Sequence, residues 1–266
     1  MSKRVASLVG SALRLDTLRE DGRAELVDIL ESLPGRKCLV LESHIGGLLN
    51  HIIPEGSKVL KEKGVTYFRE LRGELGEFLD QNGRPNEPDH ILYLVRASIP
   101  YMKIIANQIN FRAKAGVRID FRYKVFFVPH RSLICEQVLR EEGVLRKVDI
   151  GDFPLDLVPL DRDILSLEMD SLFRQVHLEG EASGLSLVGR SINKLQMVYG
   201  VIPNVKAKGS AAAAALQRSM RLRREEHGAL EGGYAGGQRG ERGMDVNDNM
   251  PREVPSQIDT LVLLDR

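Results

Sequence analysis

One stretch constrains this chain more than any other: residues 121–140, FRYKVFFVPHRSLICEQVLR. Phe121, Tyr123, Val125 and Phe127 fall on one face of an extended segment, with Arg122 and Lys124 on the other. Towards Phe126 and Val128 the second face turns apolar as well, so the strand ends buried on both sides. That pattern fits the central strand of a sheet covered by helices on both faces. Pro129 has no amide hydrogen to give to a ladder and ends the strand. Ser132 is placed to cap a helix whose apolar face is Leu133, Ile134, Val138 and Leu139, and Gly143 stops it. The unit is strand, sharp turn, helix. In an open α/β sheet such a turn lies at the carboxyl edge of the strands, where partners and ligands dock.

The same alternation fills the first 150 residues. Thr17 and Glu20 suit a capping box, and Leu26, Ile29, Leu30 and Leu33 give the helix its apolar stripe. KCLVLE (37–42), VTYFREL (65–71) and HILYLV (90–95) read as strands, with LRKVDI (145–150) or LDLVPL (155–160) as a fifth. Helices fall between them; Ser98 opens one that carries Pro100 in its first turn, where a missing amide hydrogen costs little. Residues 72–89, rich in Gly, Asn, Pro and acid, read as a surface loop or insertion. Strands alternating with helices, without hairpin signals, predict a parallel sheet.

Beyond Asp161 the texture changes. DRDILSLEMDSLFRQVHLEG is expected to be a helix opened by acids, which suit the positive end of its dipole. A second helix is expected from about Gly184 to Tyr199. Residues 206–224 carry Lys206, Lys208, Arg218, Arg221, Arg223 and Arg224 around five alanines, with no acid. Such a helix can lie on acidic lipid, but its apolar face is poor and a solvated surface is the preferred reading. The Gly-rich stretch at about 228–257 has the composition of a disordered loop, and IDTLVLLDR (258–266) reads as a fully buried strand. The expected plan is a loose tail over 1–14, a Rossmann-like parallel α/β domain over 15–150, and an incomplete second α/β domain over 151–266.

Composition removes several function classes. The 38 basic and 37 acidic residues leave a formal charge of +1, so nothing electrostatic points to nucleic acid. No apolar run approaches the roughly 20 residues that span a bilayer. Lys3-Arg4 before VASLVGSAL faintly resembles a signal peptide, but the run is short and contains Ser and Gly. Cys38 and Cys135 lack metal-ligand spacing and read as buried, reduced thiols of a cytoplasmic protein.

The carboxyl edge would gather Ser43, His44, Arg96, His130 and Arg131. SHIGG (43–47) puts two glycines at a helix start, where a phosphate can be held. Neither a dinucleotide fingerprint nor a P-loop accompanies it. Cys135 with His130 nearby has a nucleophile reading, against which stand its apolar neighbours Leu133, Ile134 and Val138. The six histidines are scattered singly, which gives no metal set. No catalytic residue, cofactor or metal is expected. Arg96, His130 and Arg131 remain as candidate partner-docking groups, with solvated loop residues as the simpler reading.

KVFFVPHRSLICEQVLREEGVL, FPLDLVPLDRDILSLE, FRQVHLEGE, KLQMVYGVIPNVKAKG and LVLLDR occur in that order. Together they resemble the Sec/Munc (SM) family of SNARE-binding fusion proteins. The resemblance is to its vacuolar protein sorting-associated protein 33 branch, nearer the A-type, and runs from about Leu15 to Arg266. It implies a non-enzymatic protein that binds SNARE proteins. It also implies work with vacuolar protein sorting-associated protein 16 and other subunits of the HOPS and CORVET tethering complexes. Membrane association would be peripheral, through partners, at late endosomes, lysosomes or vacuoles. His130 stands where the family's turn usually has an arginine. Residues 72–89 and 228–250 look like insertions, and the chain ends before the family's helical SNARE-cradling domain. The alternative from another class is an α/β phosphate- or nucleotide-binding enzyme using the SHIGG turn.

Overall fold

The computed structural model describes residues 13–116, 123–233 and 256–265, so most of the expected N-terminal tail lies outside it. The described residues form two compact units, one over Leu18–Leu160 and a second from Asp161 onward that also takes in residues 13–17.

In chain order the first unit uses α1 (Asp16–Glu31), β1 (Lys37–Leu41), α2 (Ser43–Ile52), α3 (Ser57–Glu62), β2 (Val65–Glu70) and β3 (His90–Arg96). It continues with α4 (Ile99–Lys114), β4 (Tyr123–Val128), α5 (Leu133–Glu141) and β5 (Val148–Asp152). The five strands are parallel, in the order β2-β1-β3-β4-β5. The period-two alternation along each strand sorts its side chains between two layers. Tyr93, Val95, Val125 and Phe127 join Met102, Ile105, Cys135 and Leu139 from α4 and α5. Leu39, Leu92 and Leu94 join Leu26, Leu30, Ile45 and Ile52 from α1 and α2 on the opposite face.

The central strand is β3, not the Tyr123–Val128 strand. β3 is buried from Ile91 to Val95 without a break, whereas β4 keeps Lys124 and Phe126 half-buried. Lys124 pairs with Asp149 of neighbouring β5, near the sheet's rim. Phe121 and Arg122 lie outside the described residues. α1 starts at Asp16, which puts Thr17 inside the first turn instead of at a capping box. The 72–89 segment is a loop as expected, yet it contributes to the core. Phe78 is buried, edge-on to Tyr67 at 5.1 Å, with the Arg112 guanidinium 5.0 Å over its ring.

The second unit contains α6 (Leu185–Tyr199), β6 (Asn204–Lys208), α7 (Ser210–Gly233) and β7 (Thr260–Leu264). β6 and β7 form a parallel pair. α6 and α7 run parallel, with Asn193 Nδ2 donating to the Ser219 carbonyl at 3.2 Å. Gly189 permits this approach, because a Cβ there would stand 2.9 Å from the Ser219 amide nitrogen.

Three expectations fail in this unit. Residues 161–180 are not one long helix; the regular parts are a two-residue strand, Leu165–Ser166, and a short π-helical segment, Arg174–Leu178. Asp161 accepts the Arg162 amide at 2.7 Å and Ser166 Oγ accepts the Glu168 amide at 3.1 Å. Such local bonds compete with helix formation. Lys206 and Lys208 belong to β6, not to the basic helix, which begins at Ser210. β7 is not fully buried: Thr260, Val262 and Leu264 are exposed, because only one neighbouring strand, β6, flanks it among the described residues. Of the expected Gly-rich loop, residues 228–233 continue α7 and 234–255 lie outside the described residues.

Candidate partner-docking site

The carboxyl edge of the five-stranded sheet does gather the residues singled out by sequence. Ser43 and His44 open α2 directly after β1, Arg96 closes β3, and His130 and Arg131 follow β4. The strand order makes the gap between β1 and β3 the topological switch point, where an open α/β sheet ordinarily holds a ligand. Here a side chain of the protein fills it. Glu42, 1% exposed, receives the Arg96 backbone N–H at 3.0 Å and Arg96 Nε at 2.7 Å. Arg96 Nη2 adds a second guanidinium contact to the same carboxylate. Tyr101 hydrogen-bonds to this pair, and burial together with the Glu42 charge pushes its phenol up.

The SHIGG turn therefore does not form a phosphate cradle. Its glycines lie within helix α2, behind an N-cap whose own carboxylate occupies the switch point. A Cβ on Gly47 would meet nothing within 4 Å and one on Gly46 only Leu41 at 4.0 Å, so neither glycine is required by a close approach.

The other two candidate groups are also tied to the protein. His130 Nε2 lies 2.9 Å from Asp156 Oδ1, with both side chains largely buried. The Arg131 backbone N–H donates to Asp152 Oδ1 at 2.7 Å. Its guanidinium stays mostly in solvent, 3.9 Å from Glu136 and 4.0 Å from Asp152, beyond hydrogen-bond length. Of the three, Arg131 alone presents its charge outward; Arg96 and His130 shape the edge.

Sequence missed the apolar part of this edge. Leu133 and Ile134, assigned to the buried face of α5, are 82% and 64% exposed. α5 starts at Leu133, so both side chains lie in its first turn, above the layer filled by Cys135, Val138 and Leu139. Ile99, in the first turn of α4, is exposed as well, and α4 and α5 cover the same face of the sheet from neighbouring strands. Ser132 occupies the N-cap position without a capping side-chain bond; its hydroxyl bonds to Cys135 instead. Burial pushes the Cys135 thiol up against that bond, the opposite of a nucleophile's requirement. Glu42 was legible in part, since it ends β1 beside the strand that Arg96 ends. Asp152 ends β5 and Asp156 lies in the segment after it, and neither carried a sequence signal.

Among the described residues no group of three or more His, Cys, Asp or Glu side chains is arranged to hold a metal ion. The edge thus combines exposed aliphatic side chains with one exposed guanidinium, over a layer of internally paired charge. Residues 37–266 match the model of the Sec1 family. The chain belongs to the Sec1 family.

Named relatives of this Sec1-family chain include the vacuolar protein-sorting-associated protein 33 homolog of Arabidopsis thaliana, 32% identical over 98% of the chain and 39% of the relative. The Rattus norvegicus protein 33A is 33% identical over 84% of the chain and 36% of the relative. The human protein 33B is 32% identical over 81% and 33%. A-type and B-type relatives are thus similar to it to nearly the same degree. The chain spans between a third and two fifths of these relatives' lengths. The fold is shared with the SM protein Vps45, solved in complex with the Qa SNARE Tlg2, at a TM-score of 0.55 and 12% identity over 96% of this chain and 40% of that one. The Unc18–syntaxin 1 complex from Monosiga brevicollis gives a TM-score of 0.51 and 14% identity over 85% and 38%.

Proposed function

We propose that this Sec1-family chain acts in vesicle docking and fusion by binding SNARE helices. The carboxyl edge of its first α/β domain, taken as residues 15–150, forms part of the grip. One observation carries this reading. At the edge where an α/β enzyme would hold its substrate, the Glu42 carboxylate and the His130 imidazole are consumed by internal pairs, while Ile99, Leu133 and Ile134 stand exposed beside Arg131. Apolar anchors rimmed by charge are what a helical partner needs, and nothing there is poised to make or break a bond. The chain is a binding protein, not an enzyme.

The finer assignment follows the relatives' names. As a member of the protein 33 branch the chain would work with vacuolar protein sorting-associated protein 16 and other HOPS or CORVET subunits. It would do so from the cytoplasm, at the surface of late endosomes, lysosomes or vacuoles. Among the described residues no helix is long and apolar enough to cross a membrane, in keeping with attachment through partners.

The test is a titration of purified SNARE cytoplasmic segments against the wild-type chain and a Leu133→Asp/Ile134→Asp variant. Burying either side chain contributes about 1.5–3 kcal/mol, so the variant should bind at least about tenfold more weakly. Its unfolding midpoint should not move, since neither residue is in the core. Equal affinity for the two proteins, or no SNARE bound by the wild type, would overturn the proposal.

A further inference from the structure

We propose that the outward face of α6 and α7 is a second docking surface, for membranes carrying anionic phospholipid headgroups. The two helices bury Leu185, Ile192 and Tyr199 of α6 and Ala212 and Ala215 of α7. Their opposite sides follow from helical spacing. Arg190, Lys194 and Met197 form one stripe, at positions i, i+4 and i+7. Arg218, Arg221 and Glu225 form another on α7, with Met220 and Arg224 beside it. Because the helices run parallel, with Gly189 and Asn193 against residues 215–219, the two stripes lie side by side.

The charge on these two helices is mostly positive: Arg190, Lys194, Arg218, Arg221, Arg223 and Arg224 stand against Glu225, Glu226 and Glu231 at the far end of α7. Residues 185–224 contain no Asp or Glu at all. The acid on the α7 stripe, Glu225, is taken by Arg221 at 2.9 Å. Arg218 Nη1 is buried, so the charge this face presents to solvent comes mainly from Arg190, Arg221 and Arg224, all exposed residues. The apolar component has the form of an interface anchor. Met197 is 75% exposed and Met220 is 49% exposed, each an unbranched apolar side chain set among cations.

Sequence alone pointed to a solvated helix for 206–224, because one basic helix with a poor apolar face holds a bilayer weakly. The structure adds a second basic helix alongside it, and juxtamembrane cations contribute additively. The face has separated methionines and no continuous apolar stripe of its own. It therefore suits a diffuse anionic layer better than an amphipathic helix, which requires anchors at i, i+3, i+4 and i+7.

The experiment is vesicle flotation of the full chain, without SNAREs, on phosphatidylcholine liposomes with and without phosphatidylserine. Wild type should float only with phosphatidylserine, and binding should fall steeply as salt rises from about 0.05 M to about 0.5 M. Arg190→Glu/Arg224→Glu should bind at least about tenfold more weakly, while Arg190→Lys/Arg224→Lys should stay near wild type. Circular dichroism melts of both variants show whether the fold survives; a variant that melts early leaves the lipid and salt dependence of the wild type to decide. Flotation on phosphatidylcholine alone, undiminished binding of a folded charge-reversal variant, or capture by an immobilised acidic helical peptide without flotation would each overturn the proposal. None of these readouts depends on the SNARE site, so the two proposals fail separately.

Discussion

Replacing Arg96 by methionine tests whether the switch point of the sheet is a structural clamp. The change leaves Glu42, 1% exposed, with the Arg96 backbone N–H and the Tyr101 hydroxyl but without the guanidinium contacts from Nε and Nη2. Stranding one member of a buried ion pair costs about 3–5 kcal/mol. The Arg96 side chain is itself 28% exposed and the backbone donor survives, so the low end applies, about 3 kcal/mol. Arg131→Met is the matched control. That side chain is 59% exposed, with its nearest carboxylates at 3.9 Å and 4.0 Å, and its loss should cost no more than about 0.5 kcal/mol. Urea unfolding of the full chain, followed by circular dichroism, reads both. By heat, a domain of this size loses roughly 2–4 °C per kcal/mol, so Arg96→Met should melt about 6–12 °C early. Adding Glu42→Gln to Arg96→Met should recover part of the loss, because the stranded charge is removed. Equal effects of the two arginine variants, or under about 1 kcal/mol for Arg96→Met, would refute the clamp and return Arg96 to the solvent-facing docking groups.

Further expectations follow from the buried groups. Phe78→Ala should destabilise the chain by about 3–4 kcal/mol despite its place in a loop, and a surface-like cost below about 1 kcal/mol would remove 72–89 from the core. Burial pushes the Cys38 thiol up to about 12 and the Cys135 thiol up as well. Both should therefore react slowly with a disulfide reagent at mildly alkaline pH and rapidly once urea unfolds the chain; fast native labelling would contradict this. Burial, with Lys124 adding to it, holds the His90 imidazole below its usual value. The unfolded chain then takes up the proton more readily, so stability present above about pH 6.5 is lost as pH falls through that value towards the folded-state pKa. His90→Gln should flatten this limb of the unfolding curve, and an unchanged pH dependence would exclude His90 as its source.

How much of this protein was legible in advance is clearest at particular residues. The parallel sheet was, since strands such as His90–Arg96 are short, apolar throughout and separated by helical repeats, and local patterning alone produces that signature. Arg96, His130 and Arg131 were placed at one edge for the same reason: each directly follows a strand. Their state was not legible, because Glu42, Asp152 and Asp156 reach them only through pairing across strands and the return of the chain after β5. The orientation of Leu133 and Ile134 was misread because helical periodicity gives a face and not an end. In a first turn the residues stand above the layer, however apolar they are.

Sequence by itself determined the class of fold, the family and the want of a phosphate-binding or metal-binding signature, all of which reside in local order and residue type. Tertiary structure decided which charges are spent and which are presented: the Glu42–Arg96 pair at the switch point, the aliphatic crest beside Arg131, and the two basic helices brought side by side. The physical reason is that burial and ion pairing are properties of neighbours in space. The identity of a residue fixes its charge and its hydrophobicity, but only the packed chain settles whether water, a carboxylate or a partner meets it.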